Sequence, residues 1–227
     1  MNKAMTRVMS AFALVAVTGF ASPAFADEPQ GKLQIKLLGS AVLPDGKIDK
    51  VNKDLIGLPA GTQTEVSDNY VPTVSIEYFF TPSISLETIC CVTAHHVTGT
   101  TGLPGAELVS GAKLVPATFT LKYHANLGGI SPYVGAGPAY FLFFGEKPGA
   151  STGPLGVTKV DLSNKVGVAL QAGVDIPINK SGFLVSLDAK RYFVGTTARF
   201  YQGTTLALET ELKLDPWVLS AGVGYRF

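Results

Sequence analysis

Apolar and polar side chains alternate along most of this chain in runs of about ten residues divided by turn residues, a repeated signature of membrane-barrel strands. In Val74-Ser75-Ile76-Glu77-Tyr78 the apolar side chains share one face, and Ser75 and Glu77 the other. Phe183, Val185 and Leu187 oppose Ser186, Asp188 and Lys190, while Thr120, Lys122 and His124 fall together on one side of their segment. At the C-terminus Trp217, Leu219, Ala221, Val223, Tyr225 and Phe227 lie opposite Ser220 and Arg226. The pattern predicts strands near residues 33–42, 70–80, 84–94, 114–126, 132–144, 160–176, 183–194 and 212–227. A soluble sandwich has the same period, so alternation alone does not choose between the two.

Connection lengths do choose. Bacterial barrels alternate short periplasmic turns with longer external loops. Residues 43–69, 95–113, 145–159 and 195–211 make long connections; Thr81-Pro82-Ser83, residues 127–131 and residues 177–182 make short ones. Strict alternation puts every long connection at one end and both termini at the other. It also requires an even strand count and a closed sheet, because an open edge in hydrocarbon leaves backbone groups unpaired. The predicted fold is all-β: an eight-stranded antiparallel transmembrane β-barrel over residues 27–227. Pro138 interrupts one strand and predicts a bulge or a rim position.

The first residues set the compartment. Lys3 and Arg7 precede an apolar run, Met9 to Phe20, and the small residues of Ala24-Phe25-Ala26. These are the three parts of a cleaved secretory signal, residues 1–26. The formal charge is +1, and removal of Lys3 and Arg7 leaves −1, so nothing steers the chain toward nucleic acid. With 15% charged residues and 25 glycines the remainder is apolar for an exported domain, yet it lacks any apolar run long enough for a membrane helix. Cys90 and Cys91 are adjacent and point to opposite faces of a strand, so they do not bridge each other.

Several segments together resemble the OmpW family of small outer-membrane barrels. Ser75 to Thr81 followed by Ile84 to Glu87 is similar to its second hairpin. Leu121 to His124, Pro132 to Gly137 and Phe143-Phe144 resemble its centre. Residues 171–175, 188–190 and 196–198 continue in order, and the ending Leu214 to Phe227 is the most specific match. Three positions depart from the pattern: Cys90-Cys91 stands where small or apolar residues are usual, Thr93 where a proline is expected, and the first external loop is long and rich in lysine. The resemblance implies passage of small hydrophobic molecules through an apolar upper lumen, with exit sideways between strands. It also implies that Phe227 and Tyr225 form the signal read by the barrel-assembly machinery.

The polar faces supply a lumen set of Gln34, Lys36, Glu77, Glu87, His124, Gln171, Asp175, Asp188, Lys190 and Arg226. A barrel of about eight strands is just wide enough for side chains to fill, so these charges are expected to pair and plug the lumen. Leu38, Phe79, Ile89, Leu184, Tyr192 and Val218 share their faces and are the candidate apolar lumen or rim residues, with Ile89 and Lys190 the candidate constriction. Cys91 and His95 share one face and Cys90 and His96 the other, two ligands each where closed zinc needs four, so no metal is expected. Gly135-Ala136-Gly137 has no following helix to make a phosphate loop, and no nucleophile elbow occurs, so neither cofactor nor enzyme activity is expected. Leu55-Ile56-Gly57-Leu58 is apolar for an external loop; it reads either as a lid or as the extension of a strand. The expected protein is a monomeric barrel in outer-membrane lipid, a narrow channel for small hydrophobic solutes. The competing expectation is a non-transporting structural barrel or a surface receptor or adhesion protein, because fold alone does not decide function.

Overall fold

The structure is a computed structural model that describes residues 31–178 and 181–227; the expected signal peptide lies outside the described residues. Eight antiparallel walls close on themselves. They are β1 (Leu33–Leu43), β4 (Asn69–Thr81), β5 (Ile84–Cys90) continued by β6 (Thr93–Thr101), β7 (Glu107–His124), β8 (Ser131–Phe144), β11 (Lys165–Pro177), β12 (Phe183–Phe193) and β15 (Trp217–Arg226). Each pairs with the next, and β15 closes on β1 from Gln34 opposite Arg226 to Leu43 opposite Trp217. Among the described residues every wall strand has a neighbour on both sides, which is what a sheet in hydrocarbon requires.

The strict alternation of burial reflects the pleat. In β1, Gln34, Lys36, Leu38, Ser40 and Val42 face inward, while Ile35 and Leu37 face out. Outward Leu121, Val134, Val166, Val168, Leu170 and Val223 are all largely exposed, a belt that water would disfavour and lipid accepts. Aromatic rings bound the belt. Phe183, Tyr225 and Phe227 form a chain of edge contacts at the short-turn end, with centroids 4.8 and 4.7 Å apart. Tyr70, Phe144, Phe193 and Trp217 mark the other end, in keeping with interfacial anchoring.

The long connections are not loops. Beyond the belt, β2 (Lys47–Asp54), β10 (Lys159–Leu162), β13 (Gly195–Gln202) and β14 (Thr205–Lys213) form a second sheet in the order β10-β13-β14-β2. Facing it, β3 (Gln63–Val66) pairs with β6, β9 (Lys147–Pro148) pairs with β7, and a 3-10 turn spans Ala150–Leu155. The walls therefore stand above the membrane and enclose an apolar core that includes Val66, Val97, Val160, Phe200 and Leu212. Two expected strands are divided accordingly: residues 160–162 belong to β10, and Leu212 to β14. Asp215, at φ 31°, makes the second division, its carboxylate accepting from the Val194 N–H at 2.8 Å. Gly111, at φ 63°, shifts the phase of β7 so that both Val109 and Ala112 face inward. Leu55–Leu58 folds back: the Asp54 carboxylate accepts from the N–H groups of Ile56, Gly57 and Leu58, and Ile56 and Leu58 pack on the apolar core.

Pro138 corrects one expectation. It sits in mid-strand, facing lipid, and β8 keeps an unshifted register with β11 through it. The missing N–H is absorbed on the other side, where the β7–β8 ladder skips from Thr118 opposite Ala139 to Leu121 opposite Ala136. The strands run close there: a Cβ on Gly137 would stand 1.9 Å from the Phe119 carbonyl oxygen.

Candidate functional site

Alternation places three layers of side chains inside the barrel. At the short-turn mouth, Phe79 lies under the Arg226 guanidinium, 3.5 Å from ring centroid to Cζ, and Leu184 is fully covered. Phe79 and Leu184 are thus not part of an upper lumen, because both precede the charged positions of their strands when counted from the short turns. Arg226 likewise stands at the mouth rather than within the central charge cluster.

The middle layer is ionic and closed. Lys36 Nζ lies 3.0 Å from Glu77 Oε2, 3.2 Å from Asp175 Oδ2 and 3.4 Å from Glu87 Oε2. Lys122 Nζ bridges Glu77 and Glu87 at 2.9 and 3.0 Å, and Lys190 Nζ bridges Asp188 and Glu87 at 2.8 and 3.0 Å. His124 Nε2 reaches Glu77 Oε1 at 2.8 Å. Neutral groups take the remaining lone pairs. Gln34 donates to Asp175, Gln171 to Asp188 and Glu87, Ser186 to Asp175, and Tyr133 to Asp188. Such multiple pairing is the condition for holding charge out of water. Four strand faces supply the acids, and inward Gly135 leaves space that Lys122 occupies.

The third layer is apolar. Directly above the ions is a cavity of about 20 Å³ lined by Leu38, Ile89, Leu114, Phe141, Tyr192 and Val218, with Thr73, Cys91 and the stem of Lys190 at its polar side. Ile89 and Lys190 both border it. A second cavity of about 30 Å³ lies higher, among Val66, Val97, Ala112, Phe143, Leu162 and Leu212. Val42, Leu114, Phe141 and Pro216 separate the two and line both. His95 is the titratable side chain on the upper cavity. Its Nδ1–H donates to the Ser67 carbonyl at 2.7 Å, Nε2 meets Thr93 Oγ1 at 3.0 Å, and burial holds its pKa below the ordinary histidine value. His96 points outward and pairs with Glu107 at 2.9 Å.

The wall beside the lower cavity is incomplete. β5 pairs with β7 as far as Ile89 opposite Thr118, and β6 resumes with Thr93 opposite Leu114. Across Cys91–Val92 neither neighbour continues the ladder: pairing with β4 stops at Cys90 opposite Val74. Pro116 on β7 and Pro72 on β4, each without an N–H, flank the break. Cys91 faces the cavity and Cys90 the outside, both as free thiols.

Two central residues lie outside the set chosen from sequence. Lys122 is fully buried at the middle of the ionic layer, and Tyr133 lies beneath it with 3.6 Å from Nζ to the ring centroid. The phase of Lys122 with His124 was the available signal. Tyr133 had a weaker one, since aromatics are common on either face of a barrel strand.

A closed eight-stranded barrel with an apolar belt and an ion-filled centre defines an integral outer-membrane protein. The OmpW family model matches residues 29–227, and the chain belongs to that family. It is 34% identical over 197 residues to an uncharacterized outer-membrane protein, y4mB, of Sinorhizobium fredii, covering 86% of this chain and 79% of that one. It is 28% identical to the dibenzothiophene metabolism operon protein PahQ of Pseudomonas aeruginosa, covering 91% and 93%. The crystal structure of the outer membrane protein OprG from Pseudomonas aeruginosa has the same fold, with a TM-score of 0.77 at 24% identity over 88% of this chain and 97% of that one. The short-turn end, which carries the start of β1 and the end of β15, is therefore periplasmic, and the second sheet is extracellular.

Proposed function

We propose that the protein carries small hydrophobic molecules from the cell exterior into the outer membrane. A solute descends through the apolar extension, stops on the ionic layer, and leaves sideways into lipid. The observation that carries this reading is the interrupted ladder at Cys91–Val92, which lies beside the lower apolar cavity and above charges too well paired to let a solute pass. Opening a wall costs backbone hydrogen bonds, and at this position few remain to be broken. At rest the cavities hold no more than water-sized contents, so Phe141, which lines both, must swing as a solute moves. Dibenzothiophene is an apolar aromatic molecule, and a relative named for its metabolism fits this class of solute. On the same reading residues 1–26 are removed on export, and Tyr225 and Phe227 on the last strand are read by the barrel-assembly machinery.

The test is uptake of an apolar fluorescent naphthylamine by vesicles with a lipopolysaccharide outer leaflet. The wild-type barrel should speed uptake over protein-free vesicles, and Ile89→Trp, which fills the lower cavity, should return it to their rate without raising ion conductance. Equal rates for wild type, variant and protein-free vesicles would instead leave a structural or receptor barrel.

A further inference from the structure

Inside this barrel nearly every buried hydroxyl has a partner. Ser40 and Ser220 share a hydrogen bond of 2.7 Å, Ser186 donates to Asp175, Ser85 to Glu77 and Thr120 to Gln171. Thr73 and Ser75 are the contrast: both are buried, 2% and 0% exposed, Ser75 Oγ has no hydrogen-bond partner, and Thr73 Oγ meets only the weakly bonding thiol of Cys91. A buried hydroxyl left without a partner costs about 1–3 kcal/mol. The two are not scattered. They are successive inward positions of β4 and occupy the step between the ionic layer and the apolar column, Ser75 opposite Lys36 and Thr73 opposite Leu38 on β1. Thr73 opens directly on the lower cavity beside Cys91 and Ile89.

From this we infer that the lower cavity is a binding site for neutral molecules with one oxygen-bearing head and an apolar tail, the head hydrogen-bonded to Thr73 and Ser75 and the tail directed up past Phe141. The inference rests on the proposed function and names its solute class. The tail has continuous apolar walls, because Val42, Leu114 and Phe141 border both cavities. The head is neutral for an electrostatic reason. The layer beneath holds four carboxylates, Glu77, Glu87, Asp175 and Asp188, against three ammonium groups, Lys36, Lys122 and Lys190, each already shared between carboxylates. An added anion would find no ammonium to itself. A bare hydrocarbon would leave both hydroxyls without an oxygen or nitrogen partner, the kind of loss by which polar sites reject analogues that lack the polar group. Alcohols, ketones and phenols satisfy both conditions.

The mature barrel in lipid nanodiscs is titrated with 1-octanol, n-octane and octanoate, following the amide signals of Thr73, Ser75 and Cys91, with empty nanodiscs correcting for partition into lipid. Expected is about tenfold tighter binding of 1-octanol than of octane, as one to two hydrogen bonds supply, with octanoate weakest. The Thr73→Val/Ser75→Ala pair should lose that preference, and Thr73→Ser alone should keep it. Heat-modifiable mobility of each variant on gels certifies that it has folded. Equal binding of octanol and octane to wild type, or a preference that survives the folded double variant, overturns the inference and means that water alone serves the two hydroxyls, with the conduit reading intact. Binding of none of the three overturns both.

Discussion

Lys122 and Glu77 meet at 2.9 Å in the centre of the barrel, both fully buried, with the Tyr133 ring 3.6 Å beneath the same ammonium group. Glu77 sits on β4 and Lys122 on β7, and β5 between them adds Glu87 to the same ammonium group. One lysine thus ties three consecutive strands across the lumen.

Removing that charge while leaving its partners should be severe. Lys122→Met retains the volume but strands Glu77 and Glu87 with less compensation, and breaking a buried pair in this way costs about 3–5 kcal/mol. The expected result is an unfolding free energy lowered by that amount, seen as an earlier urea midpoint at an unchanged slope and read from the folded and unfolded bands of unheated samples. An unchanged midpoint would mean that the ionic layer contributes little to stability.

Thiol chemistry should separate the two cysteines. In a Cys90→Ser variant the remaining Cys91 lines the lower cavity behind Phe141 and Leu114. Small apolar N-ethylmaleimide added from outside should label it much faster than a charged methanethiosulfonate, at least tenfold in rate. Equal rates would indicate an aqueous path to Cys91.

Acid should loosen the extracellular extension through His95. Burial lowers its pKa in the folded chain, against the raising effects of the Ser67 carbonyl and Asp68. The unfolded chain then binds more protons at mildly acid pH, so stability is complete above about 6.5 and falls as pH drops toward the lower folded value. Amide protection in β3 and β6, taken relative to the intrinsic base-catalysed exchange rate at each pH, should fall between pH 7 and pH 5, and His95→Gln should flatten the dependence. Protection that stays the same across this range in wild type would contradict it.

The period of two was enough to read the barrel, since every inward position of β1, β4, β12 and β15 follows from it, down to the phase of Lys122 with His124. Layer membership was harder, because parity gives the face of a residue and not its height: Phe79 and Leu184 share faces with upper-lumen residues yet lie at the periplasmic mouth. The second sheet was hidden for a different reason. Gly111 and Asp215 each break the local phase or direction of the chain, so strands that continue above the belt look like separate segments or loops. The paired prolines at Pro72 and Pro116 were visible, but only three-dimensional register brings them to either side of Cys91–Val92.

The ionic layer also bears on the cell that carries the protein. On the proposed reading a membrane crowded with these barrels would gain a route for oily nutrients and stay tight to salts, since paired lysines and carboxylates crowd the cross-section between its two faces.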